Sequence, residues 1–210
     1  MGIDDFLKKI KTEVDVIKGD ETKDKFFFSS AEYPNIDEAV SAFQLSKEKL
    51  FHVNNWSRLP GVASGFKVHH ASGEVKESGI PQVGDFLFID LPGPSPDTWV
   101  EVIDVNEGAD WAEFTVRPSH DPKDTGKPER KVEHFFADEA TSTFRVERKG
   151  NIISACEIGM KEGINNRGKE AGGREIVNTL IAVGGWILFQ EIQWRKLTEY
   201  LVHKIELDKD

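Results

Sequence analysis

The residues with most chemical character gather in two stretches. The first, Gly163-Ile164-Asn165-Asn166-Arg167-Gly168-Lys169, matches the opening seven positions of the G-x-x-x-x-G-K-[ST] loop, which cradles phosphates with backbone N–H groups and a lysine. The eighth position of that loop offers a hydroxyl to Mg²⁺, but here it is Glu170, whose charge would sit against the phosphates. Gly172 and Gly173 separate the loop from the next helical pattern, and the surrounding chain lacks an alternating strand–helix rhythm. A polar loop between sheet and helix fits these departures better than nucleotide hydrolysis. Arg167, Lys169 and Arg174 nevertheless lie near a helix N-terminus, where bare N–H groups attract anions. They are the candidate anion-binding residues.

The second stretch is bracketed by His120-Asp121 and by His134, with Asp138 and Glu139 close behind. Folded back on itself it would supply an acid, a base or metal ligands, so His120, Asp121 and His134 define an enzymatic alternative. No pair of histidines has the H-E-x-x-H spacing, and no metal or cofactor is expected. Ser119-His120-Asp121 has the residue types of a catalytic triad. Triads assemble from distant positions, however, and neighbours on an extended chain point opposite ways. No G-x-S-x-G elbow accompanies them. The single cysteine, Cys156, excludes an internal disulfide and a cysteine-only zinc site. It sits in the strand-like run from Ile152 to Ile158 and reads as a small buried hydrophobe.

These groups must be held by elements, and the hydrophobic period names them. Ile3, Phe6, Leu7, Ile10, Val14 and Ile17 recur at helical spacing, which predicts an amphipathic helix ending near Gly19. Phe26-Phe27-Phe28 reads as a short strand or a buried anchor. Residues Asn35 to Leu50 read as a second helix, capped by Asn35, with Asp37 and Glu38 in its first turn and Ile36, Val40, Phe43 and Leu50 as its apolar face. From Phe51 the pattern changes to short apolar runs punctuated by Gly, Pro and Asn, enough for one or two irregular strands.

Phe86 to Leu91 is a strand with a nearly continuous apolar run, which implies a cover on both faces. Trp99 to Val105 and Trp111 to Arg117 form a hairpin around Asn106–Asp110. Thr141 to Arg148 and Ile152 to Ile158 form another around Gly150-Asn151. In the 111–117 strand Ala112, Phe114 and Val116 share one face. Residues 117–131 read as a long polar loop. A final helix is expected from Arg174 to about Ile205, apolar nearly all round through Trp186 and Phe189, then narrowing to a surface stripe of Trp194, Leu197, Leu201 and Ile205. The run from Ile176 to Phe189 is shorter than the about 20 residues a bilayer requires, so this is a buried helix and not a membrane span.

The expectation is therefore an α+β chain: an antiparallel sheet or barrel of five or more strands, two N-terminal helices, and one long C-terminal helix packed on the sheet. Residues 1–210 are expected to form a single domain, with a helical segment over 1–50, a β core over 51–160 and the last helix over 174–205. Over about residues 80–205 this layout resembles, in outline, helix-grip and calycin-type ligand binders. That resemblance implies a ligand held between sheet and helix.

Composition narrows the function classes. Hydrophobic residues make up 38% and charged residues 30%, which places the chain with globular proteins rather than disordered ones. A net charge of −10 disfavours nucleic acid and anionic membrane surfaces as partners. The acidic N-terminal residues lack the pattern of a secretory signal, so a cytoplasmic location is expected. Fourteen Phe and five Trp supply aromatic volume for a core. The leading functional expectation is non-catalytic binding of a small, largely apolar ligand by Trp99, Trp111, Phe114, Phe144 and Trp186. The alternatives are the enzyme centred on His120, Asp121 and His134, and an interaction module or homodimer formed through the apolar last helix.

Overall fold

The computed structural model describes residues 23–91, 98–124, 140–162 and 186–208, with side chains described for 24–160 within those ranges and from 193 onward. In chain order the elements are strand β1 (Lys23–Glu32), helix α1 (Ile36–Phe51), a 3-10 turn (Val53–Arg58) and strands β2 (Gly65–His69), β3 (Phe86–Asp90), β4 (Thr98–Glu107), β5 (Trp111–Ser119), β6 (Thr141–Lys149) and β7 (Ile152–Glu162). Helix α2 (Trp186–Leu201) comes last. The strands form one antiparallel sheet in the order β1-β7-β6-β5-β4-β3-β2. The sheet is open, with β1 and β2 as its two edges. This is an α+β chain with an open sheet rather than a barrel.

The two expected hairpins pair as their alternation implies. Ala112, Phe114 and Val116 stand opposite Val146, Phe144 and Ser142, and Phe144 stands opposite Glu157. Directly opposed residues share a face, so these side chains line one concave surface together with Phe66, Val68, Leu87, Ile89, Val100 and Val102. A bulge between Val102 and Asp104 interrupts the β4–β5 register. Such an extra residue bends a strand and increases its twist. β5 runs two residues beyond the expected loop boundary at Arg117. Pro118 is tolerated there because the β5–β6 ladder has already ended at Val116.

Helix α1 begins at its expected cap. The Glu38 N–H donates to Asn35 Oδ1 at 2.9 Å, and Asn35 Nδ2 donates back to Glu38 Oε1 at 2.7 Å, a reciprocal arrangement of the capping-box kind. Phe43 and Leu50 are buried as expected, but the rest of the buried face is shifted. Ile36 and Val40 are exposed, and Ala39, Ala42, Phe43, Ser46 and Leu50 point inward. Two alanines on the inner face let the helix approach the sheet closely, which bulkier residues there would prevent.

Helix α2 buries Trp194, Leu197 and Leu201 as a stripe, but Gln193, Thr198 and Tyr200 are buried too, so this half is covered more broadly than a surface helix. It stops at Leu201 and not near Ile205. His203 takes a left-handed φ of +63°, a common way to end a helix. The expected beginning of this helix, residues 174–185, lies outside the described residues, as does the whole helix expected over Ile3–Ile17. The 1–50 segment is not wholly helical, because Lys23–Glu32 supplies an edge strand of the sheet. Among the described residues no helix is long and apolar enough to cross a membrane.

The β2 edge is closed by polar side chains of the 3-10 turn. The Phe66 N–H donates to Ser57 Oγ at 2.7 Å, and the Ser57 hydroxyl donates to the Phe66 carbonyl at 3.0 Å. The Val68 N–H donates to Asn54 Oδ1 at 2.8 Å, while the Lys76 N–H donates to the Val68 carbonyl at 2.8 Å. Asn54 Nδ2 completes the seam by donating to the Lys76 carbonyl at 3.1 Å.

Candidate functional site

The concave face carries a ring of aromatics. Trp56, from the 3-10 turn, lies 5.8 Å from Phe66, 5.9 Å from Phe114 and 5.1 Å from Phe144 between ring centroids. Trp194 descends from α2 to lie 5.3 Å from Phe144 and 6.3 Å from Phe66. Trp56 is fully buried, and its Nε1–H donates to the Lys49 carbonyl at 3.0 Å. The Trp194 indole is 5% exposed, and its Nε1–H has no acceptor among the described residues. A buried donor without a partner carries a desolvation cost.

Between this cluster and the β3–β6 face lies a pocket of about 480 Å³, a figure that includes space open to solvent. Trp56, Phe66, Phe144 and Trp194 form its aromatic wall. Leu87, Ile89, Val100 and Val116 form its aliphatic floor, and Arg117, Thr141 and Ser142 lie toward the ends of β5 and β6. Arg117 is engaged by Glu101, whose Oε2 accepts from Nε at 3.1 Å and from Nη2 at 2.8 Å. The hydroxyls of Thr141 and Ser142 are the neutral polar groups of the lining. Such a site desolvates an apolar molecule and offers it very few hydrogen bonds.

Of the five residues expected to bind ligand, the four whose side chains are described are divided by the sheet. Phe144 lines the pocket, and Phe114 stacks behind it at 5.1 Å in the core. Trp99 and Trp111 belong to the opposite, convex face. Trp99 packs against Phe88 at 5.1 Å and His69 at 4.8 Å, and the Arg145 guanidinium lies 4.8 Å above the Trp111 ring. Strand parity explains the split: Val100 and Ala112 point into the concave face, so the residues preceding them point away. The Trp186 side chain lies outside the described set, as do Arg167, Lys169, Arg174 and His134.

His120 is exposed just past the end of β5. Asp121 Oδ1 accepts the Lys123 N–H at 2.8 Å, an Asx-type turn that shapes the loop locally. Among the described residues no group of three His, Cys, Asp or Glu could hold a metal ion. Burial pushes the Cys156 thiol up to about 11, and the Arg145 guanidinium opposite it in the ladder offsets only part of that. At neutral pH it is a protonated thiol and a poor nucleophile.

Two of the pocket's principal walls were not among the expected ligand contacts. Trp56 sits in a polar run, Asn54-Asn55-Trp56-Ser57-Arg58, with no periodicity to mark it as central. Trp194 was legible as part of a helical stripe, but nothing local says that the stripe faces a pocket. Glu157, fully buried on the concave face opposite Phe144, is likewise hidden in a strand whose alternation alone would have placed an apolar side chain there.

No family model matches the chain, and no curated protein matches it. Solved structures do. A hypothetical protein of Helicobacter pylori, jhp0584, aligns over 89% of this chain and 92% of its own, at 13% identity and a TM-score of 0.47. Norcoclaurine synthase of Thalictrum flavum, solved with dopamine and hydroxybenzaldehyde, aligns over 90% of this chain and 93% of its own, at 16% identity and a TM-score of 0.37. The major latex-like protein 151 of Panax ginseng aligns over 81% of this chain and 95% of its own, at 12% identity and a TM-score of 0.37.

Proposed function

We propose that this protein binds a small, planar, largely apolar molecule between the concave face of the sheet and helix α2, without catalysing its conversion. The observation that carries this reading is the pocket itself, walled by aromatic and aliphatic side chains where the sheet meets helix α2. Such walls favour an apolar ring system over a strongly polar molecule. Entry of even one or two rings requires the aromatic wall to move. Residues 1–210 act as one domain in this reading.

The test is quenching of tryptophan fluorescence by 2-naphthol, read beside calorimetric titration. At about 0.5 kcal/mol per heavy atom, a value between the fragment and drug-sized limits, the expected dissociation constant is on the order of 100 µM. Ser142→Trp, which places an indole in the pocket lining while leaving the buried core intact, is expected to weaken binding at least about tenfold, equivalent to about 1.4 kcal/mol. No saturable binding by the wild type, or equal binding by the Ser142→Trp protein, would show that the cluster is core packing and nothing more.

A further inference from the structure

Of the aromatic residues that wall the pocket, all but Trp194 are fixed by their elements. Phe66 and Phe144 stand on β2 and β6, whose backbones are paired to neighbouring strands. Trp56 is fully buried on the turn that seals the β2 edge, and its indole N–H is bonded to the Lys49 carbonyl. Trp194 stands on a helix that lies over the sheet rather than within it, and it meets Phe144 and Phe66 by packing. From Thr198 onward that helix is pinned by polar bonds. The Thr198 hydroxyl donates to the Arg195 carbonyl at 3.0 Å, which leaves Ser29 Oγ as the donor to Thr198 Oγ1 at 2.9 Å. Lys49 Nζ donates to the Tyr200 carbonyl at 3.1 Å and lies 4.4 Å from the centre of the Tyr200 ring. Over Gln193–Leu197, among the described residues, a single side-chain hydrogen bond reaches another element: the Ser64 hydroxyl donates to Gln193 Oε1 at 2.7 Å. Both residues are 3% exposed.

We infer that the Gln193–Leu197 turn of α2 is the gate of this pocket, with the Ser64–Gln193 hydrogen bond as its latch and Thr198–Tyr200 as its pivot. The gate rests on the ligand reading above, in which the aromatic wall moves on entry, and Trp194 is the part of the wall that moves. Trp194 follows Gln193 directly, so a shift of this turn carries the indole away from Phe144 and Phe66 together. The sheet need not deform, because neither ring it carries has to leave its ladder. A lone buried hydrogen bond suits a latch. It fixes one closed position, because Gln193 Oε1 left unmet among apolar groups is costly. Opening exchanges it for bonds to water, so the net cost of release is modest. The pivot keeps its own bonds throughout, which returns the turn to the same place when the latch closes.

Amide hydrogen exchange of the full chain tests the gate without a ligand. The amides of Gln193–Leu197 are expected to exchange faster than those of Thr198–Leu201. Ser64→Ala is expected to speed the first group about fivefold, the factor set by one net hydrogen bond, and to leave the second unchanged. Stopped-flow mixing with 2-naphthol reads the same gate through binding. Ser64→Ala is expected to raise the association and dissociation rates together by about the same fivefold factor. Kd then changes little, because the latch is closed over both the empty and the filled pocket. Ser29→Ala removes a bond of the same kind at the pivot and is expected to change neither rate by more than about twofold. Exchange that rises no more at Gln193–Leu197 than elsewhere in Ser64→Ala would overturn the gate. So would 2-naphthol binding at an unchanged rate in that variant, or an equal acceleration in Ser29→Ala. Absence of binding in every protein, with the expected exchange pattern, would refute the ligand reading and retain the opening turn.

Discussion

The two edges of this sheet solve the same problem in opposite ways. At β2 the outward backbone groups of Phe66 and Val68 are each met by a specific partner: Ser57, Asn54 and the Lys76 backbone. The loop that supplies Lys76 is itself pinned, because Lys76 Nζ donates to Asp85 Oδ2 at 2.6 Å and to Gln82 Oε1 at 2.9 Å while both charged partners are almost wholly buried. Gly79, at φ +64°, lets this loop pass Asn54: a Cβ there would come within 2.9 Å of Asn54 Cγ. At β1 the strand is longer, uncharged through its middle, and carries two exposed phenylalanines. One edge is closed by polar side chains from within the chain. At the other, no such partner reaches Phe26–Ala31 from among the described residues, and a bulge at Lys23/Lys25 and charges at both ends flank the uncharged middle.

That contrast predicts very different mutational costs. The largest should come from Trp56→Ala, which removes the centre of the aromatic cluster from the same turn that caps β2. A loss of about 3–5 kcal/mol is expected in urea or thermal unfolding. A loss below about 1 kcal/mol would show that the cluster is loosely packed. Asp85→Ala leaves the buried Lys76 ammonium without its carboxylate and is expected to cost about 3 kcal/mol, together with faster amide exchange in β2. Unchanged exchange there would separate the ion pair from edge closure. Asn54→Ala orphans the Val68 N–H and removes a donor from the Lys76 carbonyl, for about 2 kcal/mol, measured by the same unfolding curves.

A pH effect tests the side of the molecule where α1 meets α2. His203 Nε2 lies 2.9 Å from the Ala42 carbonyl, which can only accept, so Nε2 carries the proton; Ser46 Oγ lies 3.0 Å away. Burial, with a smaller contribution from Lys49, holds His203 below the ordinary imidazole value despite the bond to Ala42. The unfolded chain therefore takes up this proton first. The contribution to stability is complete above about pH 6.5 and is lost as the pH falls below it. His203→Gln is expected to flatten the fall in melting temperature between about pH 7.5 and 5.5. An unaltered slope would exclude His203 as its source. The smallest effect should be Phe28→Ser at the open edge, within about 0.5 kcal/mol for the monomer because the ring is exposed. A larger loss, measured at low protein concentration, would mean that the ring already packs against its own chain.

Much of the sheet was legible before the fold was known. Alternation over 111–117 and 141–148 located both hairpins, because a half-buried strand writes its two faces into every second residue. Asn35 announced the start of α1, because a cap is a local interaction three residues long. Of the expected inner face of α1, Phe43 and Leu50 turn inward while Ile36 and Val40 do not, since Ala39 and Ala42 matter for closeness of approach and carry little hydrophobic weight. Of the expected ligand contacts, Phe144 reached the pocket and Phe114 its backing layer, while Trp99 and Trp111 went to the other side. Aromatic content marks volume but not direction.

The sequence by itself determined the local features: which segments alternate, where α1 is capped, where turns break the chain, and that Cys156 has no disulfide partner. Each depends on interactions between residues a few positions apart. Only the tertiary structure decided that Trp56 and Trp194, 138 positions apart in the numbering, would line one pocket, and that Ser57, Asn54 and the Lys76 backbone would seal the β2 edge. These outcomes depend on the packing of α2 and on the pairing of distant strands. They are properties of the assembled surface, to which each residue contributes a direction that its own neighbours in sequence do not encode.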